Sequence, residues 1–155
     1  MARPARRVRG PSSASDGKRT PPAGGNVDPP ARILIVEDEH ITALDVARKL
    51  RRLGYQVVGL ASSGPQAIAH ALTLRPQVVL MDIHLHGTMD GIEATRRIQA
   101  AAPIPVVYMT THTDAATVAR IQATTEASGL VPKPIHLPTL HTTLQRVLSR
   151  PPGRP

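Results

Sequence analysis

Apolar residues follow two alternating rhythms along the chain. The run Arg32-Ile33-Leu34-Ile35-Val36 is short, β-branched and apolar after its first position, which suits a strand buried on both faces. From residue 39 to 53 the apolar positions Ile41, Leu44, Ala47, Leu50 and Leu53 recur near helical spacing, and Gly54 stands where a left-handed residue ends a helix. Residues 56–60 read as a second strand, and 65–74 as a helix that opens on Ser63-Gly64-Pro65 and stops before Pro76. The pattern then predicts a strand over 77–81, a helix over 91–102, a strand over 105–109, an Ala/Thr-rich helix over 114–127 and a short strand over 129–131. A last helix carries Leu137, Leu140, Leu144, Val147 and Leu148 on one face and cannot continue through Pro151-Pro152.

Five strands alternating with five helices demand right-handed crossovers and a mostly parallel, doubly wound α/β sheet. Sites on such sheets form beyond the carboxyl ends of the strands. Those ends carry Glu37-Asp38-Glu39, Asp82, Thr110-Thr111-His112 and Lys133-Pro134. Carboxylates about 4 Å apart repel by roughly 4 kcal/mol per pair at an effective dielectric of 20, so a cation is expected among them. Oxygen donors alone favour a hard ion, and Mg²⁺ fits because it accepts a few carboxylates, keeps waters and shares positions with phosphate oxygens. A lysine charge and a threonine hydroxyl complete what a transferring phosphoryl group needs, with a carboxylate as acceptor.

Composition narrows the alternatives. The 155 residues include no cysteine, which excludes disulfides, thiolate metal sites and a cysteine nucleophile, and only two tyrosines as aromatics, which excludes base-stacking platforms. No segment approaches the roughly 18 apolar residues of a membrane span, and no export signal is read, so the cytoplasm is the expected location. The net charge of +8 resembles a nucleic-acid footprint. Residues 32–149, however, hold 11 basic and 9 acidic residues, so that segment is only about +2. The excess lies in two expected disordered tails, 1–31 and 150–155, which also hold nine of the sixteen prolines. Weak, unspecific contact with nucleic acid through the first tail is the most its cations suggest.

Five segments in order at the strand ends, Ile35-Val36-Glu37-Asp38, Val79-Leu80-Met81-Asp82-Ile83, Met89-Asp90-Gly91-Ile92-Glu93, Val107-Tyr108-Met109-Thr110 and Lys133-Pro134, resemble the receiver domain of two-component response regulators from about residue 32 to 149. The resemblance implies a flavodoxin-like (βα)5 fold with strand order 2-1-3-4-5. It implies that Asp82 accepts a phosphoryl group from a phosphohistidine of a sensor kinase or phosphotransfer protein, forming an acyl phosphate. It also implies that Glu37, Asp38, Asp82 and the backbone carbonyl of His84 surround Mg²⁺, that Lys133 pairs with Asp82 and then with the phosphoryl group, that Thr110 is the switching hydroxyl, and that Lys133-Pro134 is cis. With six residues after the last helix, a stand-alone receiver is expected, acting on itself rather than as an enzyme. It would signal to a protein target through the surface of the fourth helix, fifth strand and fifth helix, with dimerisation on phosphorylation an open option.

Several positions carry competing readings. Asp38 would also serve as a helix cap, Glu39 reads as a solvated first-turn residue, Asp90 as the cap of the helix opening at Gly91, and Thr111 as filler. Asp82 to Gly91 is one residue longer than the common receiver loop, a length shared by one branch of the family. Leu130 replaces the aromatic residue that usually couples to the threonine, so any switch would be read through aliphatic shape. Pro132 removes a strand donor, which an edge tolerates. His84 and His112 stand where side chains overhang the phosphoryl group and tune its lifetime, and His40, His84, His86 and His112 form a remote transition-metal candidate. The rival function is a binding module led by the basic tail, for nucleic acid or another partner, with a vestigial receiver.

Overall fold

The computed structural model describes residues 29–111, 114–124 and 127–150. Its elements alternate throughout: β1 (Arg32–Val36), α1 (His40–Arg52), β2 (Gln56–Ala61), α2 (Gly64–Leu74), β3 (Val78–Asp82), α3 (Gly91–Ala101), β4 (Val106–Thr110), α4 (Ala115–Thr124), β5 (Ala127–Pro132) and α5 (Leu137–Leu148). All four strand pairings are parallel, in the order β2-β1-β3-β4-β5. That is the expected doubly wound arrangement.

Alternation along each strand divides the core into two layers. Ile33, Ile35, Val78, Leu80, Val107, Met109 and Val131 face α1 and α5, meeting Val46, Leu50, Leu140 and Leu144. Leu34, Val36, Val79, Met81, Val106 and Tyr108 face the other way, onto Ala67 and Ala71 of α2, Ile92 and Ile98 of α3 and Ile121 of α4. Burial on both sides explains why these strands read as continuous apolar runs rather than alternating ones.

Local signals act as the residue types require. Gly54 follows the last residue of the α1 cap with φ +90°, a left-handed conformation that costs glycine little. Ser63 caps α2 through its side chain, which accepts from the Gln66 N–H, with Pro65 in the first turn. Asp90 caps α3 by accepting the Glu93 N–H at 2.9 Å, as predicted. The other end of α2 departs from the usual glycine: Arg75 adopts φ 49°, ψ 61° before Pro76. The Arg32 guanidinium donates to the Leu74 carbonyl at 2.6 Å and the Arg75 carbonyl at 3.0 Å, satisfying acceptors that the helix end leaves open.

Two boundaries differ from the sequence reading. α4 ends at Thr124 and β5 already begins at Ala127, whereas helix was expected through 127 and strand only over 129–131. Pairing of Ala127 with Val106 supplies β5 with a neighbour, and such tertiary pairing outweighs the helix preference of an alanine-rich segment. β5 is the edge strand, and Pro132 stands opposite Thr110 at its last position, where a missing donor is tolerated.

One close approach fixes where β3 ends. A Cβ added to Gly91 would lie 2.0 Å from the Asp82 carbonyl oxygen, and the Gly91 N–H donates to the Ile83 carbonyl at 2.9 Å. The first turn of α3 therefore presses on the main chain of Asp82. Gly91→Ala is expected to lower the unfolding free energy in urea by about 3 kcal/mol. A loss below about 0.5 kcal/mol would show that this contact does not constrain the strand end.

Candidate functional site

Continuing the alternation of each strand past its end builds the site. Ile33 and Ile35 lead to Glu37, Val78 and Leu80 to Asp82, and Val131 to Lys133, so all three polar residues extend the face toward α1 and α5. Asp38 follows Glu37 at the turn into α1. Carboxylate oxygens of Glu37, Asp38 and Asp82 lie within 4.8 Å of one another. Glu37 and Asp82 are 3% and 4% exposed, so solvent does little to relieve their repulsion.

Lys133 provides the compensating charge. Its Nζ lies 2.5 Å from Glu37 Oε2 and 3.2 Å from Asp82 Oδ2. The expected Lys133–Asp82 contact is present, yet the shorter one is to Glu37, whose pairing with lysine was not foreseen. Strand alternation alone would have put these two side chains on the same face. The Lys133-Pro134 bond is cis, as expected. The Lys133 N–H donates to the Thr110 carbonyl at 2.8 Å, joining the ends of β4 and β5.

Backbone donors hold the acids. The Asp82 Oδ1 accepts from the His84 N–H at 3.1 Å, Glu37 Oε1 from the Glu39 N–H at 3.2 Å, and Asp38 Oδ2 from the His86 N–H at 3.0 Å. The His86 imidazole Nδ1 meets that same Asp38 oxygen. Asp38 does not cap α1. The cap position is Glu39, without a side-chain cap bond, and its carboxylate accepts from the Thr42 hydroxyl at 2.8 Å. Asp90 does more than cap: its second oxygen lies 2.5 Å from Arg120, tying the start of α3 to α4.

Titration follows the environment. Burial pushes the Glu37 carboxyl up from 4.5 to about 7, with Asp82 adding repulsion and Lys133 opposing. Burial acts in the same sense on Asp38, but hydrogen bonds from the His86 backbone and ring hold it below its ordinary value. Burial would lower Lys133, but its hydrogen bond to Glu37 and the charge of Asp82 raise it, so the ammonium stays charged.

The remaining predicted residues divide by position. Thr110 is buried at the end of β4, and Leu130 is half-buried against the core layer facing α2, α3 and α4. His84 is exposed, and His112 lies outside the described residues, as do residues 1–28 and 151–155 of the expected tails. Among the described residues, Glu37, Asp38 and Asp82 form the metal-competent group, and the histidines do not gather into one of their own. Three oxygen donors of this kind fit a hard divalent ion such as Mg²⁺. No helix of the described residues is long and apolar enough to cross a membrane.

The family model for the response regulator receiver domain matches residues 33–145. The transcriptional regulatory protein PdtaR of Mycobacterium tuberculosis (strain ATCC 25618 / H37Rv) is 33% identical over 121 residues, which cover 78% of this chain and 58% of PdtaR. Response regulator GacA of Pseudomonas viridiflava is 41% identical over 81 residues, 51% of this chain and 37% of GacA. The chain thus spans less than two thirds of either relative. The signal receiver domain of a modulated diguanylate cyclase from Desulfovibrio desulfuricans G20 superposes with a TM-score of 0.71 at 33% identity, covering 77% of this chain and 94% of that one. Chemotaxis protein CheY4 of Vibrio cholerae gives 0.71 at 30% identity, covering 77% and 99%.

The raised Glu37 value has a sign that experiment can read. A folded carboxyl with pKa about 7 binds its proton more tightly than the unfolded chain does at 4.5. Its contribution to stability is full below about pH 4.5 and is lost as pH rises through about 7. In metal-free buffer, the unfolding free energy of the wild type is expected to fall between pH 5 and 8 by on the order of 2 kcal/mol more than that of Glu37→Gln. Parallel pH profiles for the two proteins would contradict this assignment.

Proposed function

The chain belongs to the response regulator receiver domain family, and on that premise we propose that Asp82 takes a phosphoryl group from a phosphohistidine of a sensor kinase or phosphotransfer protein. What carries this reading is the setting of the Asp82 carboxylate, buried at the end of β3, grouped with Glu37 and Asp38 and touched by Lys133 at 3.2 Å. An Asp82 oxygen forms the new bond to phosphorus as the bond from phosphorus to the donor's imidazole nitrogen breaks; the donor ring carries a proton on its other nitrogen, so it leaves as neutral imidazole and the product is an acyl phosphate. Glu37, Asp38 and Asp82, with the His84 backbone carbonyl, would hold Mg²⁺, which would supply charge neutralisation for the phosphoryl oxygens.

The other residues orient and read this event. Lys133 is already charged and in reach of Asp82, so it can follow the negative charge from the carboxylate to the phosphoryl group. Thr110 offers a hydroxyl from the end of β4, and Leu130 repacks on the same face of the sheet when that hydroxyl moves. The altered surface of α4, β5 and α5 then binds or releases a protein target. His84, two residues beyond Asp82, tunes the lifetime of the phosphoryl group.

The donor docks beside the acceptor. On α1, Ile41 is 84% exposed and Leu44 is 45% exposed, an apolar pair at the helix end nearest Asp82. Next to them runs a groove of about 530 Å³ lined by Ile41, Thr42, Lys49, Lys133, Pro134 and Ile135. A helix carrying the phosphohistidine, apolar where it meets Ile41, suits this surface.

Incubation with a small phosphodonor and Mg²⁺, followed by intact mass, tests the acceptor. The wild type is expected to gain one phosphoryl group, Asp82→Asn none, and Lys133→Ala to react at least about tenfold more slowly. Labelling of Asp82→Asn at the wild-type rate would place the acceptor elsewhere. For the docking surface, Ile41→Ser is expected to cut the rate of transfer from a phosphorylated partner while leaving labelling by the small donor unchanged. An equal effect on both reactions would remove Ile41 from donor recognition.

A further inference from the structure

A nitrogen donor stands at the margin of the carboxylate group. His86 lies in the segment between β3 and α3, and its backbone N–H anchors it to Asp38 Oδ2 at 3.0 Å. Its Nδ1 contacts the same oxygen. Gly87, at φ +107°, turns the chain immediately after it. The His86 side chain is 91% exposed, so the protein around it does not hinder rotation of the ring. The main chain thus fixes where the imidazole begins, and the side chain remains free to choose its partner.

We propose that His86 serves as a fourth protein ligand beside Glu37, Asp38 and Asp82, so that the site accepts borderline transition ions of the Co²⁺ and Zn²⁺ class through a bond that Mg²⁺ does not use. This rests on the receiver reading for the place of the ion. An ion on the Asp38 carboxylate is within reach of Nδ1 by rotation of the ring, since Nδ1 already touches that carboxylate. Mg²⁺ takes oxygen ligands and keeps its waters, whereas imidazole suits the later first-row ions. Any mixed site binds Co²⁺ more tightly than Mn²⁺ by the general affinity order, so raw affinity is not diagnostic. The diagnostic property is the dependence of each ion on His86.

Isothermal titration of the metal-free full chain with Mg²⁺ and with Co²⁺, joined to the visible absorption of Co²⁺, separates the outcomes. The proteins compared are the wild type, His86→Ala, His86→Asn and Asp82→Asn. The backbone donor to Asp38 survives either change at His86. Co²⁺ affinity is expected to fall at least about tenfold in both His86 variants, with an altered Co²⁺ spectrum, while Mg²⁺ affinity stays within about twofold. Equal weakening of both ions would overturn the proposal, because His86 would then only orient Asp38. Unchanged Co²⁺ affinity and spectrum would overturn it as well. If Mg²⁺ binds the wild type and not Asp82→Asn, either of those results leaves the receiver reading standing. Failure of both ions to bind the wild type would bring down the two together.

Discussion

Three carboxylates held within 4.8 Å of one another oppose the fold that gathers them. Each pair at about 4 Å resists by several kcal/mol at the effective dielectric of a protein surface. The resistance is met by rigidity behind the site. Glu37 directly follows β1 and Asp82 ends β3, neighbouring strands that, apart from Arg32, are buried on both faces. A strand so enclosed cannot slide or tilt to let its terminal carboxylate escape without opening the core. Lys133 offsets part of the repulsion, and backbone N–H groups of Glu39, His84 and His86 offset more. What remains uncompensated is repulsion of a kind that a divalent ion would relieve.

The alternation that builds the site also separates its parts. Glu37, Asp82 and Lys133 extend the layer facing α1 and α5, whereas Thr110 follows Tyr108 on the layer facing α2, α3 and α4. Asp82 and Thr110 therefore sit on opposite sides of the sheet. The two sides are joined at the ends of β4 and β5, where the Lys133 N–H is bonded to the Thr110 carbonyl. Asp90 joins the start of α3 to α4 by capping α3 with one oxygen and meeting Arg120 with the other.

Most of this architecture is legible in the sequence because the signals are local. Apolar runs of five, Gly54, Ser63 and Asp90 each act within one turn or strand, and each element falls within two residues of its expected bounds except the far end of α4, which is three away. Ala127 is read wrongly because its partner Val106 is twenty-one residues away, and no local preference of alanine announces that pairing. The strand-end acids and Lys133 are legible as a group, since parallel topology brings all strand ends to one rim. Which of them touch is not legible. Lys133 lies nearer Glu37 than Asp82, and Asp38 holds the backbone of His86 rather than capping α1; both depend on loop paths that residue types do not fix.

Charge distribution follows from the same topology. In a right-handed βα unit each helix starts near the carboxyl end of its strand, so helix N-termini and strand ends share one rim. Among the described acids, Glu37, Asp38, Glu39, Asp82, Asp90, Glu93 and Asp114 all lie there, and only Asp45 lies elsewhere. The positive ends of the helix dipoles lessen the cost of bringing those charges together. The opposite rim holds Arg51, Arg52 and Arg146 in last helical turns and Arg75 at the cap of α2, where the dipoles favour cations. Net charge therefore says little about what this domain attracts. The segment from 32 to 149 is close to neutral as a whole, yet its acids gather at one pole because the backbone itself supports the anions placed there.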